Sequence, residues 1–484
     1  MKLTRYPATY NPILEYWQAI QDGREVVSLK VQKTYRHVVE QLENSESEFY
    51  YSPRRANHVL EFFENYCHHS KGKAGGQLVK LELWEKALLA TVFGFIDIEG
   101  NRQYREAILI VGKKNGKSLL ASGVGLYLQL ADGEAGPEVY AVATKRDQAK
   151  IIWQEAKRMV QKSPALRKRT RCLAGEVDSD YNDGVFKPLS SDSDTLDGLN
   201  IHGAMMDELH QWKNGRPLYD IVADGDQARA QPLRFITSTA GTIREDIYDE
   251  KYEEAERIIN GYEDPDGYHD PRRIAFIYEL DGIGGADLSK TTDLTAAKVI
   301  FQVPELPDIL FVLQMYWLPQ ELLEKRVTED KIPYDKWHER GLLRLSEGNK
   351  IRYEDVKAWF VEVQENLDIF LPFFGYDAWS ATYWVDSMAD YFGAEAMIPV
   401  HQGVKTLSEP MKRCGNDLKS KRIIYNNHPI DKWNLANTAY EEDKNGNIQP
   451  RKTSKSTRRI DGTAALLDAY AIYDQKQAEY TSML

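Results

Sequence analysis

A glycine-containing loop in the first third of the chain has the residue types that bind a nucleoside phosphate. Backbone N–H groups at a helix start hold phosphate oxygens, a lysine neutralises the β- and γ-phosphates, and a Ser or Thr hydroxyl ligates Mg²⁺. An apolar run ends at Val111, and the loop after it supplies these groups: Gly112, Lys113, Asn115, Gly116, Lys117 and Ser118. The usual first glycine of such a loop falls on Val111, so this motif alone leaves a surface turn as an equal alternative.

Two acids at the end of a later apolar run have the types needed to hydrolyse that nucleotide. The run Ile201–Met206 ends in Asp207 and Glu208. Asp207 would hold the nucleotide-bound Mg²⁺, and Glu208 would polarise the attacking water. A capped turn explains such a pair by itself, but together with the loop the pair predicts an ATPase. A further apolar run ends in Thr237, Ser238 and Thr239, whose hydroxyls could sense the γ-phosphate.

Three carboxylates in the second half have the types needed for phosphodiester hydrolysis with two metal ions. Asp287 and Asp377 end apolar runs, and Asp461 begins the last predicted helix. Carboxylates from separate elements hold the ions in such sites, whereas a buried acid without a cation is costly. Spacing alone favours three unrelated surface or capping acids. The acid-free basic segment Lys444–Arg459 leads into Asp461 and favours a nuclease that grips a phosphate backbone.

Short apolar runs that alternate with amphipathic helices predict the elements that position these residues. This alternation is typical of a parallel α/β sheet. We predict strands in the first half at Ala107–Val111, Val139–Ala143, Ile201–Met206 and Arg234–Thr237, and in the second half at Arg273–Tyr278, Ala296–Gln302, Ile309–Trp317 and Phe370–Tyr376. The corresponding domains are an N-terminal helical segment (1–70), an ATPase domain (71–262) with a linker at about 253–273, and a nuclease domain (274–484).

The composition excludes several classes of protein. Of the 484 residues, 42% are hydrophobic and 28% are charged, as in globular proteins and unlike disordered or fibrous chains. No apolar run approaches the roughly 18 residues of a membrane span, and the N-terminus lacks the apolar core of a secretory signal. Three cysteines are too few for a disulfide framework or a zinc site, so we expect a reducing cytoplasm. With a formal charge of −12, nucleic-acid binding would depend on local basic segments such as Lys145–Arg171.

With both sites in view, the chain resembles the large subunit of tailed-bacteriophage terminases from about Leu78 to its end. In the first half, the resemblance is carried by Leu81–Lys86 with Phe93-Gly94, Lys113–Ser118, Ala143–Ala149, Met206–Trp212 and Thr237–Gly241. In the second half, it is carried by Gly285–Thr295, Tyr376-Asp377 and Ile460–Gly462. Glu85 stands where the family usually has Gln in its adenine-side motif, which puts adenine recognition by that side chain in doubt.

The resemblance implies an ASCE-type P-loop ATPase domain followed by an RNase H-like α/β nuclease domain. The ATPase would use ATP and Mg²⁺, with Ser118 and Asp207 as ligands of that ion and Thr237–Gly241 as the coupling element. Its charge-stabilising arginine would act in cis or in trans, and the candidates are Arg146, Arg216, Arg229 and Arg244. The nuclease would hold two Mg²⁺ or Mn²⁺ ions with Asp287, Asp377 and Asp461, and Asp293 and Asp468 are reserve ligands for which capping or solvated roles are favoured.

The family's activity is ATP-driven translocation of double-stranded DNA into the procapsid and cutting of concatemeric DNA. The implied partners are the small terminase subunit, the portal protein and further copies of the chain in a ring, a pentamer, with a monomer in isolation as the alternative. The implied location is the cytoplasm of the infected bacterium, without a membrane partner. Two other hypotheses remain: a helicase-like ATPase fused to an RNase H-like recombinase or transposase, and a packaging-ring subunit with an inactive nuclease.

Overall fold

The computed structural model of the chain describes residues 3–112, 115–191, 198–239, 246–264, 267–288, 294–304, 306–378, 382–452 and 459–483. These residues form two compact units, Met1–Tyr278 and Glu279–Leu484. Within the described residues, no helix combines the length and the apolar character that crossing a membrane requires.

The first unit is built from a mixed sheet and flanking helices. Its helices are α1 (Pro12–Gln21), α2 (Leu29–Glu43), α3 (Pro53–Tyr66), α4 (Leu83–Gly94), α5 (Lys117–Leu130), α6 (Arg146–Lys162), α7 (Pro164–Arg167), α8 (Arg216–Gly225) and α9 (Ile247–Gly261), with a 3₁₀ turn at Leu209–Gln211. Its strands are β1 (Tyr50–Tyr51), β2 (Phe95–Ile96), β3 (Glu106–Ile110), β4 (Glu138–Ala143), β5 (Arg171–Cys172), β6 (Val177–Ser179), β7 (Gly184–Ser190), β8 (Ile201–Asp207), β9 (Leu233–Ser238) and β10 (Arg273–Ile277).

The large sheet of this unit has the order β10-β3-β9-β8-β4-β7-β6-β5. The strands from β10 to β7 run parallel, and β6 and β5 add antiparallel pairs at one edge. The central strands are buried on both faces, which explains why they are continuous apolar runs. Because parallel strands end at the same edge, the carboxyl ends of β3, β8 and β9 lie side by side, and ligands bind at such an edge.

The predicted linker overlaps a helix, and the predicted assignment of strand 273–278 to the second set of strands is wrong. Residues 253–261 of the segment that was expected to be a linker belong to helix α9, and β10 pairs with β3 in the first sheet from Arg273 opposite Glu106 onward. The reason is the buried carboxylate of Glu106, which Lys251 of α9 contacts at 3.1 Å and Arg234 of β9 contacts at 2.8 Å. Burial opposes the charge, yet Lys251 and Arg234 lower the pKa of Glu106 to about 2. These ion pairs therefore tie helix α9 to the first sheet.

The N-terminal helices belong to the same unit as the sheet. Apolar side chains of α1, α2 and α3 share one core with β3 and α5, for example Ile13, Val31, Phe63, Leu109 and Val124. Residues 3–70 consequently pack as part of the first unit and form no separate core of their own.

The second unit is built around another mixed sheet. Its strands are β11 (Leu280–Asp287), β12 (Thr295–Val303), β13 (Leu306–Pro319), β14 (Arg344–Ser346), β15 (Ile369–Asp377), β16 (Met397–Val400), β17 (Ile423–Ile424), β18 (Thr438–Glu442) and β19 (Ile448–Lys452). Its helices are α10 (Leu323–Asp330), α11 (Tyr334–Glu339), α12 (Tyr353–Asn366), α13 (Thr382–Phe392), α14 (Val404–Lys419), α15 (Pro429–Asn437), α16 (Asp461–Gln475) and α17 (Gln477–Met483), with a 3₁₀ turn at Gln320–Leu322.

Three central elements of this unit determine where its acids lie. The strand order is β14-β13-β12-β11-β15-β16, with β17 beside β13, and β18 and β19 form a separate hairpin. Strands β11 and β15 are parallel neighbours, so Asp287 and Asp377 end at the same edge. Helix α16 lies directly on both strands, because a Cβ on Gly285 would overlap the carbonyl oxygen of Ala465 and a Cβ on Gly375 would overlap that of Asp468.

Candidate nucleotide and nuclease sites

The loop after β3 places its lysine and serine at the start of a helix. Asn115 Nδ2 donates to the carbonyl oxygen of Gly112 at 3.5 Å, and Gly116 has a φ of +76°, which glycine adopts without a steric penalty. Helix α5 then begins at Lys117, whose side chain is buried. Lys113 lies outside the described residues. The described part of the loop thus has the helix start that binds phosphate oxygens.

Asp207 is held at the end of β8 by hydroxyls from two other elements. Ser118 Oγ donates to Asp207 Oδ2 at 2.9 Å, and Thr237 Oγ1 donates to Asp207 Oδ1 at 2.7 Å. Burial and the neighbouring Glu208 raise the pKa of Asp207. The predicted Mg²⁺ ligands Ser118 and Asp207 are therefore in direct contact, and Thr237 orients the carboxylate.

Glu208 follows in a backbone conformation that few residues adopt. Its φ is +53°, in the left-handed region, and its N–H donates to the carbonyl oxygen of Thr237 at 2.9 Å. Lys117 Nζ lies 2.9 Å from Glu208 Oε1. The strained backbone turns the acid toward Lys117, and such strain is concentrated at functional sites.

The hydroxyls at the end of β9 contact a residue that the sequence analysis did not single out. Ser238 Oγ lies 3.1 Å from His210 Nδ1 and donates to the carbonyl oxygen of Thr239 at 3.1 Å. His210 was visible only as part of the run Met206–Trp212, and its spacing from Ser238 in the chain gives no signal of contact. The remainder of the predicted coupling element, Ala240-Gly241, lies outside the described residues.

The candidate arginines differ in position. Arg229 binds carbonyl oxygens of Ala135 and Gly136 ahead of β4, at the edge opposite the site. Arg216 is paired with Asp220 and Glu250. Arg146 is exposed and follows β4 at the same edge as Asp207. Arg244 lies outside the described residues.

Glu85 lies beside the loop glycine. A Cβ on Gly116 would be 3.5 Å from Glu85 Oε1, while Glu85 Oε2 accepts from the N–H of Glu82 at 2.8 Å and completes the N-terminal cap of α4. Burial raises the pKa of Glu85 to about 7. A carboxylate that ionises near neutral pH therefore faces the loop.

Replacing Glu85 by Gln is expected to stabilise the protein mainly at alkaline pH. Because the pKa is about 7 in the folded chain and lower in the unfolded one, the wild type loses stability as pH rises from about 4.5 to 7, up to about 3 kcal/mol. A Gln side chain still offers an oxygen that can accept from the N–H of Glu82, and it carries no buried charge that would destabilise the folded state. The melting temperature should rise more near pH 8 than near pH 5, and ATP should bind more tightly near pH 8. Glu82→Gln, on an exposed side chain of the same cap, is the control, and an equal shift at both pH values would contradict the explanation.

In the second unit, four carboxylates influence one another at the ends of β11 and β15 and along α16. Burial and then Asp461, Asp468 and Asp377 raise the pKa of Asp287 well above its usual range. Asp461 and Asp468 are 7% and 1% exposed, although both carry acidic groups. The three predicted acids are therefore brought together with a fourth.

Asp468 corrects the sequence analysis, which favoured a capping or solvated role for it. Its Oδ1 accepts from Gln402 Nε2 at 2.9 Å, whereas its Oδ2 is buried without a hydrogen-bond partner among the described residues. Burial also raises the pKa of Asp468 well above its usual range. The other reserve ligand, Asp293, lies outside the described residues.

The donor set of these acids fits a hard divalent cation. Carboxylate oxygens are the ligands that Mg²⁺ and Mn²⁺ prefer, and a cation would offset the repulsion that raises the pKa of Asp287. In the described part of the chain, no three His, Cys, Asp or Glu side chains already form a group that could hold a metal ion.

A buried polar network lies beside Asp461 at the start of α16. The N–H of Gly462 donates to Asn434 Oδ1 at 3.0 Å. Nearby, Lys298 and Tyr316 both contact Asp431, and Lys298 Nζ donates to the Tyr316 hydroxyl at 3.0 Å. Sequence reasoning missed this network, because a single Lys within an apolar strand gives no indication of its partner.

Gly375→Ala is expected to impair DNA cutting by displacing α16. The added methyl group would overlap the carbonyl oxygen of Asp468, so the helix must move away from β15. Overpacking of this kind costs about 1–3 kcal/mol, and a displacement near 1 Å lowers a rate about 100-fold. Gly415→Ala in α14 is the control, because a Cβ there meets nothing within 4 Å. Plasmid cleavage measures the cutting rate, and thermal melting measures the loss of stability. If Gly375→Ala cuts DNA at the wild-type rate, this packing argument is contradicted.

The predicted basic segment before Asp461 is divided between two environments. Lys452 on β19 is exposed, and its charge opposes the rise in the pKa of Asp287. Arg459 is instead buried, 3.6 Å from Asp330. Residues 453–458 lie outside the described residues. The segment therefore exposes Lys452, whereas the burial of Arg459 beside Asp330 contradicts the prediction that Arg459 belongs to a backbone-gripping segment.

Comparisons with known proteins match both halves. Residues 83–257 match the family model for the ATPase domain of the terminase large subunit, and residues 272–476 match the model for its endonuclease domain. The large terminase subunit of Enterobacteria phage HK97 is 24% identical over 486 residues, covering 85% of this chain and 94% of that protein. The terminase large subunit of Lactococcus phage p2 is 20% identical over 265 residues, covering 52% and 46%. The crystal structure of the HK97 bacteriophage large terminase is 21% identical, covers 86% of this chain and 99% of that one, and gives a TM-score of 0.39. The two family matches confirm the predicted order of an ATPase domain followed by a nuclease domain.

Proposed function

Because the chain belongs to the terminase large-subunit family and has its ATPase and endonuclease domains, we propose that it moves double-stranded DNA into a procapsid with energy from ATP and cuts concatemeric DNA. The observation that carries this proposal is the contact of Ser118 with Asp207 and of Lys117 with Glu208 at one sheet edge. The carboxylates around Asp287 support the second activity.

In the ATPase domain, Lys117 and the loop amides bind the phosphates of ATP, with Gly112, Asn115 and Gly116 shaping the loop. The family resemblance assigns Lys113 to the same binding role. Ser118 and Asp207 would hold the Mg²⁺ ion, which would supply charge neutralisation on the phosphates. The phosphates attract Lys117 away from Glu208, which contacts it at 2.9 Å. Glu208 is then available to orient the attacking water, and its left-handed backbone keeps it directed at that space. Thr237, Ser238 and Thr239 transmit the change to the rest of the domain.

In the nuclease domain, Asp287, Asp377 and Asp461 would hold two Mg²⁺ or Mn²⁺ ions. Bound ions would activate a water molecule and stabilise the charge that develops on the cleaved phosphate. Asp468, whose Oδ2 has no described partner, is the fourth candidate ligand. Helix α16 keeps Asp461 and Asp468 over the strand ends, and the exposed Lys452 contributes positive charge toward the DNA backbone.

The same proposal includes the assembly and its location. We place the chain in a homo-oligomeric ring, a pentamer, with the portal protein and the small terminase subunit as partners, in the cytoplasm of the infected bacterium. Arg146 is our candidate for the charge-stabilising arginine, because it is exposed at the edge that carries Asp207. The burial of Asp461 and Asp468 close to Asp287 argues against an inactive nuclease, because burying acids without a cation is costly.

Stimulation of ATP hydrolysis by DNA tests the translocation proposal. Linear double-stranded DNA should raise the turnover number, and the stimulation should fall steeply as salt is increased, because contacts with phosphates depend on counterion release. ATP hydrolysis that ignores double-stranded DNA would contradict translocation while leaving the ATPase in place. Joining of labelled DNA ends by the same preparation would favour the recombinase or transposase alternative instead.

A further inference from the structure

His210 joins the water-orienting acid to the end of β9. It lies on the 3₁₀ turn that follows Glu208, and its side chain is 12% exposed. Its Nδ1 is 3.1 Å from Glu208 Oε2, 3.1 Å from Ser238 Oγ and 3.4 Å from Thr239 Oγ1. One ring nitrogen thus contacts both the acid and the two hydroxyls.

The turn that carries His210 is fixed by its neighbours. Trp212 Nε1 donates to the carbonyl oxygen of Asp207 at 3.1 Å, and the Trp212 side chain is fully buried. The ring of Tyr248 packs edge-on against the imidazole, with centroids 6.3 Å apart. These contacts restrict the rotation of the imidazole, so its position is well defined.

The hydrogen-bond pattern places the proton on Nδ1. Ser238 Oγ donates its hydrogen to the carbonyl oxygen of Thr239 at 3.1 Å, so it accepts from a proton on His210 Nδ1. Gln211 Oε1 accepts from Gln148 Nε2 at 2.6 Å. Gln211 Nε2 then faces His210 Nε2 at 3.4 Å as a donor, so His210 Nε2 accepts. The proton of the neutral ring is therefore on Nδ1, which hydrogen-bonds to Ser238 Oγ and lies 3.1 Å from Glu208 Oε2.

Glu208 needs a donor of this kind. A carboxylate can only accept hydrogen bonds, and Lys117 contacts only Oε1. Oε2 is buried and has no aligned hydrogen-bond partner among the described residues, with Nδ1 of His210 at 3.1 Å. A small rotation of the acid would align the two atoms when Lys117 moves to the phosphates.

We propose that His210 is a positioning residue: its Nδ1–H keeps Glu208 directed at the attacking water, and the same nitrogen ties the position of Glu208 to the hydroxyls of Ser238 and Thr239. This inference rests on the proposed function, because it takes Glu208 as the residue that orients the water. Through His210, the hydroxyls of Ser238 and Thr239 are linked to Glu208, although these residues are far apart in the sequence.

Two substitutions that each keep one nitrogen position test the proposal. The amide of Asn can occupy the place of Nδ1, whereas that of Gln reaches the place of Nε2. His210→Ala and His210→Gln should lower the turnover number for ATP about 10- to 100-fold, the range for a misdirected catalytic group. The KM for ATP should stay within about twofold, because no contact with the phosphates is lost, and His210→Asn should recover most of the turnover.

The outcomes separate this proposal from the function on which it rests. Wild-type turnover in His210→Ala, a rise in KM alone, or equal impairment of His210→Asn and His210→Gln would each overturn it. Thermal melting of the Asn and Gln variants shows that both are folded. Glu208→Gln is measured in parallel: if it hydrolyses ATP like the wild type, the role of Glu208 itself fails. If only Glu208→Gln is inactive, the inference about His210 alone fails.

Discussion

Replacing Asp287 by Asn is expected to abolish DNA cutting and, at the same time, to make the metal-free protein more stable. The carboxylate lies among Asp377, Asp461 and Asp468, where a divalent ion would be held. Losing a ligand of a metal that supplies several kcal/mol of transition-state stabilisation lowers the rate about 1000-fold or more. ATP hydrolysis should be unchanged, because the ATPase residues lie in the other unit.

The gain in stability follows from the direction of the pKa shift. Burial and three neighbouring acids raise the pKa of Asp287 well above its usual range, so the folded chain binds a proton that the unfolded chain releases. The wild type therefore loses stability as pH rises above the ordinary carboxyl range. Asn carries no charge, so the melting temperature of Asp287→Asn should exceed that of the wild type near pH 8 with EDTA. The difference between the two melting temperatures should shrink toward acid pH.

Added Mg²⁺ should reverse this order, because the ion stabilises the wild type more than the variant. Asp308→Asn, on an exposed acid of β13, is the matched control and should alter neither property. Cleavage by Asp287→Asn at the wild-type rate would contradict the site, and a lower melting temperature in EDTA would contradict the electrostatic argument.

Glu208→Gln is expected to abolish ATP hydrolysis while the nucleotide still binds. Gln preserves the size of the side chain but cannot polarise a water molecule as a carboxylate does. Turnover should fall about 100- to 10,000-fold, the usual contribution of a positioned acid or base. Lys117, which contacts Glu208 at 2.9 Å, would lose its competing partner, so ATP affinity should be equal or higher.

Steady-state hydrolysis and equilibrium binding of a fluorescent ATP analogue measure the two parts of that prediction separately. Glu253→Gln, on an exposed acid of α9, is the control for the chemical change. Lys117→Ala should instead lose both binding and hydrolysis. Normal turnover in Glu208→Gln would remove Glu208 from the mechanism, and loss of binding would show that the acid has a structural role.

Local patterns were sufficient for the strands that carry the nucleotide site and for β15, whereas β11 was not among the predicted strands. Runs such as Ile201–Met206 are apolar at every position because both faces of the sheet are covered, and β8 extends only one residue further, to Asp207. The contact of Asp207 with Ser118 follows from this, since parallel strands end at one edge. The sequence could therefore predict which strand ends meet without knowing their order in the sheet.

Long-range partners were beyond local patterns. The second half of α9 was predicted to be part of a linker, because nothing near it in the chain reveals the buried Glu106 that Lys251 of the same helix contacts. Asp468 was assigned to solvent, because its burial depends on Gly375, which lets α16 lie against β15. His210 escaped notice for the same reason, since Ser238 lies on another strand.

The central claim is that one chain carries two independent active sites, and plasmid cleavage measured beside ATP hydrolysis tests it most directly. Wild type and Asp377→Asn are compared in Mg²⁺ or Mn²⁺, with and without EDTA. We predict that only the metal-loaded wild type cuts, while both proteins hydrolyse ATP equally in Mg²⁺. A wild type that does not cut, cutting that survives EDTA, or an Asp377→Asn variant that cuts normally would contradict the account.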